Sequence, residues 1–222
     1  MGDPHRQLHQ GRFAATECSG PGASVAVSND WINRLNVCGP ARDVEVFAVT
    51  ANDPQIARRQ LAARPKRGRL RGLSFGALLR SLPAQRVRQL EQRITEPWDL
   101  SLDAPIRLGG GMIVRTYRFQ LTDYEPDALL TEVSREYPGL CLVLGWVDPN
   151  TDDQASRFMH RGRSILYRLS RRRKLALQAS VPEAGTADED EIAWALVEAD
   201  WAMMDAVMAH WDQKVRSVLR RP

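Results

Sequence analysis

Polar and apolar positions alternate with period two over Trp31–Cys38. Trp31, Asn33, Leu35 and Val37 fall on one side, and Ile32, Arg34, Asn36 and Cys38 on the other, which is the pattern of a short strand. Gly39-Pro40 stops that strand, and proline's fixed φ suits the first turn of a helix. Val44, Phe47 and Ala48 then recur three and four apart, predicting a short amphipathic helix that ends at Asn52-Asp53-Pro54. Leu73–Leu79 reads as a second strand, with a helix as the alternative. Gln85–Ile94 reads as a helix carrying Val87, Leu90 and Ile94 on one side and closing at Glu96-Pro97. The clearest strand is Met112–Leu121: Ile113, Tyr117, Phe119 and Leu121 share a face broken by Arg115, opposite Thr116, Arg118 and Gln120. A helix follows, with Leu129, Leu130, Val133 and Tyr137 as its buried stripe and Pro138-Gly139 as its stop. Leu140–Val147 is apolar throughout, as expected of a central strand buried on both sides or covered by the C-terminal segment. Ser164–Leu169 supplies one more strand.

The order strand, helix, strand, strand, helix, strand predicts an α+β fold. It is the ferredoxin-like βαββαβ sandwich, one antiparallel sheet with helices on one face, extended by an extra strand and a long C-terminal helix. Residues 1–28 read as a tail without periodicity. Residues 29–170 form the domain, with a basic insertion at 55–72. Residues 171–186 read as a linker, and 187–220 as one amphipathic helix. In that helix Trp194, Val197, Trp201, Met204, Met208, Trp211, Val215 and Val218 step alternately three and four apart, an a/d seam, with Ile192, Leu196, Ala199, Met203 and Val207 as a second apolar row. Both rows must be buried, either across the sheet's open face or against another chain's helix.

Charge adds a second theme. The net charge is only +4, but no acidic residue occurs from Arg58 to Arg88, and Arg161, Arg163, Arg168, Arg171, Arg172, Arg173 and Lys174 form another cationic cluster. The acidic run Asp188–Glu191 opens the C-terminal segment. Clustered arginines suit phosphate contacts that release counterions. The alternatives are a solvated face or internal pairing with the acidic run. Arg118 together with the arginines of 161–173 is therefore the candidate DNA- or RNA-binding set. Base stacking is disfavoured, because Tyr117 and Phe119 share the face expected beneath the helices.

Candidate chemistry is sparse. Gly109-Gly110-Gly111 feeds a strand and not a helix, so a hairpin turn is expected there and not a phosphate cradle. His160 and His210 are isolated, and Cys38 and Cys141 lie in predicted strands as small buried hydrophobes. Asp148, Asp152 and Asp153 lack the spacing of a calcium loop. No catalytic residue, metal ligand or cofactor is assigned. The cysteine count is three, with no paired spacing, and no apolar run reaches the roughly 18 residues of a membrane helix. A cytoplasmic protein with no membrane association is expected.

The segment around Trp31, Asn33, Leu35 and Gly39 resembles the opening of the YubB-like, ferredoxin-like proteins of phages and plasmids, with Ile32 at that family's cysteine. Tyr117–Pro126, with Thr122 and Pro126, resembles their strand-to-helix junction without its tryptophan and second proline, and Tyr137-Pro138-Gly139-Leu140 resembles the start of their last core strand. The resemblance implies a mobile-element protein with a ferredoxin-like core and carries no established activity. The expectation is a non-enzymatic accessory protein that binds an unknown protein or itself through Trp194, Trp201, Met204, Met208 and Trp211. The alternative is a sequence-tolerant nucleic-acid binder.

Overall fold

A computed structural model describes residues 30–52, 72–90, 96–122, 126–148, 153–179, 181–182 and 188–219. The expected tail, nearly all of the basic insertion, Ile94 and Asp152 lie outside the described residues. The elements in chain order are β1 (Asp30–Pro40), α1 (Ala41–Ala51), α2 (Phe75–Arg80), α3 (Ala84–Leu90), β2 (Trp98–Leu102), β3 (Ile106–Gly109), β4 (Met112–Thr122), α4 (Asp127–Glu136), β5 (Cys141–Asp148), β6 (Asp153–His160), β7 (Arg163–Arg168), α5 (Arg171–Gln178), α6 (Glu189–Ala209) and α7 (Asp212–Leu219). The strands make one sheet in the order β2-β4-β1-β5-β6-β7, with β3 also on β4, and every pairing is antiparallel. The fold is thus α+β, with a seven-stranded antiparallel sheet and C-terminal helices.

Period two divides the sheet into two faces, and helices cover both. On one face Leu35, Tyr117 and Leu144 are register partners across β4, β1 and β5. They pack with Phe47 of α1, Phe75 and Leu78 of α2, and Leu129, Leu130 and Val133 of α4. On the other face Cys38, Val143, Val147 and Phe158 pack with Met203, Met204, Val207 and Met208 of α6, with Trp211 between the two helices and with Val215 of α7. All eight residues of β5 are buried, because this strand lies between β1 and β6 and beneath a layer on each side. Each large side chain so enclosed contributes about 1.5–3 kcal/mol of transfer free energy. The docked arrangement of the C-terminal segment is therefore the one present in the chain.

Local chemistry accounts for the turns. Gly109, Gly110 and Gly111 all have positive φ (85°, 57° and 73°) and form the β3–β4 hairpin turn, as their context predicted. Arg115 interrupts the apolar face of β4 yet is buried, because its Nη2 donates to Glu45 Oε1 on α1. Burial next to this pair pushes the Tyr117 hydroxyl up to about 12.

Several expectations are corrected. Leu73–Leu79 is not a strand: Ser74 Oγ accepts from Ala77 N at 3.0 Å, and Glu96 accepts from Phe75 N at 3.0 Å and Gly76 N at 2.7 Å. Those two acceptors satisfy the exposed donors of a helix start, so the segment becomes α2. Strands β2, β3 and β6 were not anticipated; β6 buries Gln154 and Ser156, which erases the polar-out signal. The expected linker at 171–186 contains α5. The expected single C-terminal helix is two, separated at His210-Trp211, although the Trp211 amide still donates to Met208 O and Trp211 O accepts from Val215 N, so the seam continues through the break.

Candidate functional site

The cationic cluster is built onto one rim of the sheet. Arg161 and Gly162 form the two-residue turn between β6 and β7 with φ of 51° and 71°, the conformation a tight hairpin of this hand requires. The Gly162 amide donates to Ser134 Oγ at 2.9 Å, which ties the turn to α4, and the Arg161 guanidinium reaches Pro138 O at 3.4 Å. Strand β7 ends the sheet, so one row of its backbone groups has no strand partner among the described residues. Arg163 begins this strand exposed, and Arg168 ends it paired with Asp153. Between them Ile165 and Leu166 are 45% and 39% exposed.

Helix α5 follows directly and carries Arg171, Arg172 and Arg173 in its first turn, all exposed, with no acidic residue there and no side-chain bond from Ser170. Cations at that end oppose the helix dipole. Arg163, Arg171, Arg172 and Arg173 make no ion pair with a described residue, whereas Arg34, Arg86, Arg115, Arg118 and Arg157 are each paired with a carboxylate. Leu175 of α5 adds a further exposed apolar side chain. Tyr167 of β7 stacks on His210 at 3.7 Å between ring centroids and 3° between planes. Desolvation against its neighbours, Lys214 and Arg173 lower the His210 pKa from its ordinary value.

The structure divides the candidate nucleic-acid residues into two groups. Arg161, Arg163, Arg168, Arg171, Arg172 and Arg173 belong to one rim. Arg118 does not: it lies on β4, pairs with Asp103 at 3.1 Å and packs 5.1 Å from the Trp201 ring centroid. Its guanidinium thus bridges the β2–β3 segment and Trp201 of α6. The acidic run is likewise accounted for locally, since Asp188 caps α6 by accepting from Glu191 N at 2.7 Å, and carboxylates at that end favour the helix dipole.

The interaction-helix residues also divide. Met204, Met208 and Trp211 are buried on the chain's own sheet, and Trp201 is half-buried. Trp194 is 56% exposed, near the start of α6 and away from the seam's buried part. The Trp211 indole donates to Ser156 Oγ at 2.7 Å, and Ser156 donates to Val207 O at 2.7 Å, so a buried polar pair fixes the α6–α7 junction to β6.

The motif residues of the first strand serve packing. Leu35 is fully buried, and Asn33 is buried with its Nδ2 donating to Trp31 O at 2.8 Å. A Cβ on Gly39 would meet Leu140 Cδ2 at 2.6 Å and Gly139 O at 2.9 Å, so glycine is required where the two segments touch. Pro126 is buried at the start of α4. Of Thr122 the structure gives its place in β4, opposite Asp30.

Cys38 and Cys141 are register partners on β1 and β5. Both are buried free thiols: burial pushes Cys141 up to about 12 and Cys38 higher still, so both remain protonated. Sequence reasoning missed the apolar half of the rim, Ile165, Leu166 and Leu175. The signal available for part of it was the Arg-Gly pair between two short runs, which marks a hairpin. Among the described residues no group of three or more His, Cys, Asp or Glu could hold a metal ion, and no helix is long and apolar enough to cross a membrane. Comparison with family models, with curated proteins and with solved structures returned no match.

Proposed function

We propose that this chain is a non-enzymatic accessory protein that works by binding another protein, and that its contact surface is the β7–α5 rim and not the C-terminal seam. The observation that carries this reading is the mixture along one stretch of chain: from the turn through β7 into α5, exposed Arg161, Arg163, Arg171, Arg172 and Arg173 are interspersed with exposed Ile165, Leu166 and Leu175. A phosphate backbone uses the arginines but gains nothing from the aliphatic side chains. A protein segment with both carboxylates and apolar residues uses both. The part of the seam formed by Met204, Met208 and Trp211 rests on the chain's own sheet, which favours the rim over it as the contact surface.

On the fold, we propose the ferredoxin-like plan for the core. Its support is the sub-order β5-β1-β4-β2 with α1 and α4 on a single face, to which β6, β7 and the C-terminal helices are additions. The motif residues Trp31, Asn33, Leu35 and Gly39 support kinship with the YubB-like proteins, and with it a phage or plasmid origin and a cytoplasmic setting.

The second reading, a sequence-tolerant nucleic-acid binder, keeps the same arginines. One pair of measurements separates the two. Panning a random peptide library on the full chain is expected to enrich peptides that are both acidic and aliphatic, and a variant with Arg163, Arg171, Arg172 and Arg173 changed to Gln is expected to lose them. If panning enriches nothing while a random single- or double-stranded oligonucleotide binds with an affinity that falls steeply with salt, the protein-binding reading is overturned in favour of the second.

A further inference from the structure

We propose that β7 is a docking edge for an extended acidic segment of a partner protein, which adds to the sheet antiparallel to β7 as an outer strand; this rests on the protein-binding reading above. Three features of Arg163–Arg168 lead there. The strand is terminal, so alternate N–H and C=O groups along it face away from β6. Its middle is apolar on both faces: Ile165 stands opposite Phe158, and Leu166 opposite Arg157, so an incoming strand would extend each face by one apolar position. Its ends carry arginines, unpaired Arg163 at one and Arg168, held by Asp153, at the other, with Arg161 in the turn before and Arg171 in the helix after.

Charge selects among occupants. In a two-fold pairing of β7 with the β7 of a second copy, centred between Ile165 and Leu166, Arg163 of each chain would lie opposite Arg168 of the other. Like charges directly opposite are destabilising, and arginines at a strand edge keep identical edges apart. The same placement favours a strand with carboxylates near both ends and aliphatic residues between them. Recognition would come from backbone bonds for affinity and from the terminal arginines for register and choice of partner.

The test uses the full chain and a synthetic peptide of about ten residues, valine- and isoleucine-centred with glutamates at both ends. A second peptide carries N-methyl groups on the alternate amides that would pair with β7. Binding is followed by fluorescence anisotropy, and β7 by amide hydrogen exchange. The expected result is that the plain peptide binds, that N-methylation weakens it at least about tenfold, and that outward amides within Arg163–Arg168 gain protection. Arg163→Glu, a surface change that leaves the core untouched, is expected to weaken binding about tenfold. If plain and N-methylated peptides bind equally and β7 protection is unchanged, strand addition is overturned while the protein-binding reading stands. If no acidic peptide binds and only an oligonucleotide does, both are overturned. Self-association of the chain that protects the same β7 amides would replace the acidic partner with a second copy and so overturn the proposal.

Discussion

Gly145 tests the docking of the C-terminal helices most directly. It lies in the middle of β5, the most enclosed strand, on the face that α6 crosses. A Cβ added there would stand 2.7 Å from Met208 Sδ, 2.8 Å from Met204 Sδ and 3.2 Å from Met208 Cγ. Methionine is adaptable, so one methyl displaces two flexible chains, and the loss of a strand glycine returns about 0.5–1 kcal/mol. Gly145→Ala should therefore be close to neutral. Gly145→Val has no such escape: its two further methyl groups must enter the same space. Overpacking of this kind costs about 1–3 kcal/mol, offset by less than about 1 kcal/mol of β preference, which leaves a loss of about 2 kcal/mol. In a chain of this size that corresponds to a fall of roughly 4–8 °C in Tm. Met208→Ala is destabilising alone, but combined with Gly145→Val it vacates the contested volume, and the pair should be less unstable than the sum by about 1 kcal/mol. Thermal melts followed by circular dichroism, with sedimentation velocity at the same concentration, provide the measurement. A Gly145→Val protein that melts with the wild type and sediments as a dimer would show that α6 does not rest on its own β5, and that the heptad seam belongs to another chain.

Two further outcomes follow from buried polar groups. Burial raises Asp200 from 3.8 to about 6. The native state therefore holds a proton that the unfolded chain has released, so stability from this group is greatest at low pH and declines between about 4 and about 6. Solvent at this partly exposed site reduces the effect to about 1 kcal/mol; Asp200→Asn should raise Tm at about pH 7.5 and leave it nearly unchanged at about pH 4, and a loss of stability at the higher pH would refute the reasoning. Ser156→Ala leaves the buried Trp211 N–H without its acceptor and should cost about 1–3 kcal/mol, with Trp211→Phe costing less in that background than in the wild type. Additive losses would mean that the two residues are not coupled.

How much of the fold was legible depended on whether local and tertiary signals agreed. In β1, β4 and β5 and in α1 and α4 the periodicity, the stops at Gly39-Pro40 and Pro138-Gly139 and the eventual burial all pointed the same way. The glycine turn before β4 was legible because nothing but a hairpin follows from three residues that favour positive φ ahead of a strand. Strand β6 was not, since Gln154 and Ser156 are polar on a buried face, and Ser156 is bonded to Val207 of α6 and to Trp211 just after it, far away in sequence. Helix α2 depends in the same way on Glu96, whose carboxylate reaches back to Phe75 and Gly76. The heptad seam stated that α6 must be covered without stating by what. The sign that could have decided it was Gly145, a glycine inside an unbroken apolar strand, where another element approaches closely.

The candidate site was legible in its charge and not in its shape. Proximity in sequence grouped the arginines of 161–173, and the chain keeps them together because a two-residue turn, an outer strand and a short helix follow one another without a crossover. Arg118 has the same chemistry but a different function, because Asp103 and Trp201 hold it against the sheet. The acidic run of opposite charge is placed at the start of α6, where Asp188 caps its own helix and the described carboxylates make no ion pair with Arg163 or Arg171–Arg173. The two charged tracts thus act on different helix ends: the acidic one relieves the dipole of α6, and the basic one aggravates that of α5. Cations placed where the helix dipole disfavours them, next to exposed aliphatic side chains and a terminal strand edge, are the physical ground on which the proposed acidic, partly apolar strand would be favoured at that rim over solvent.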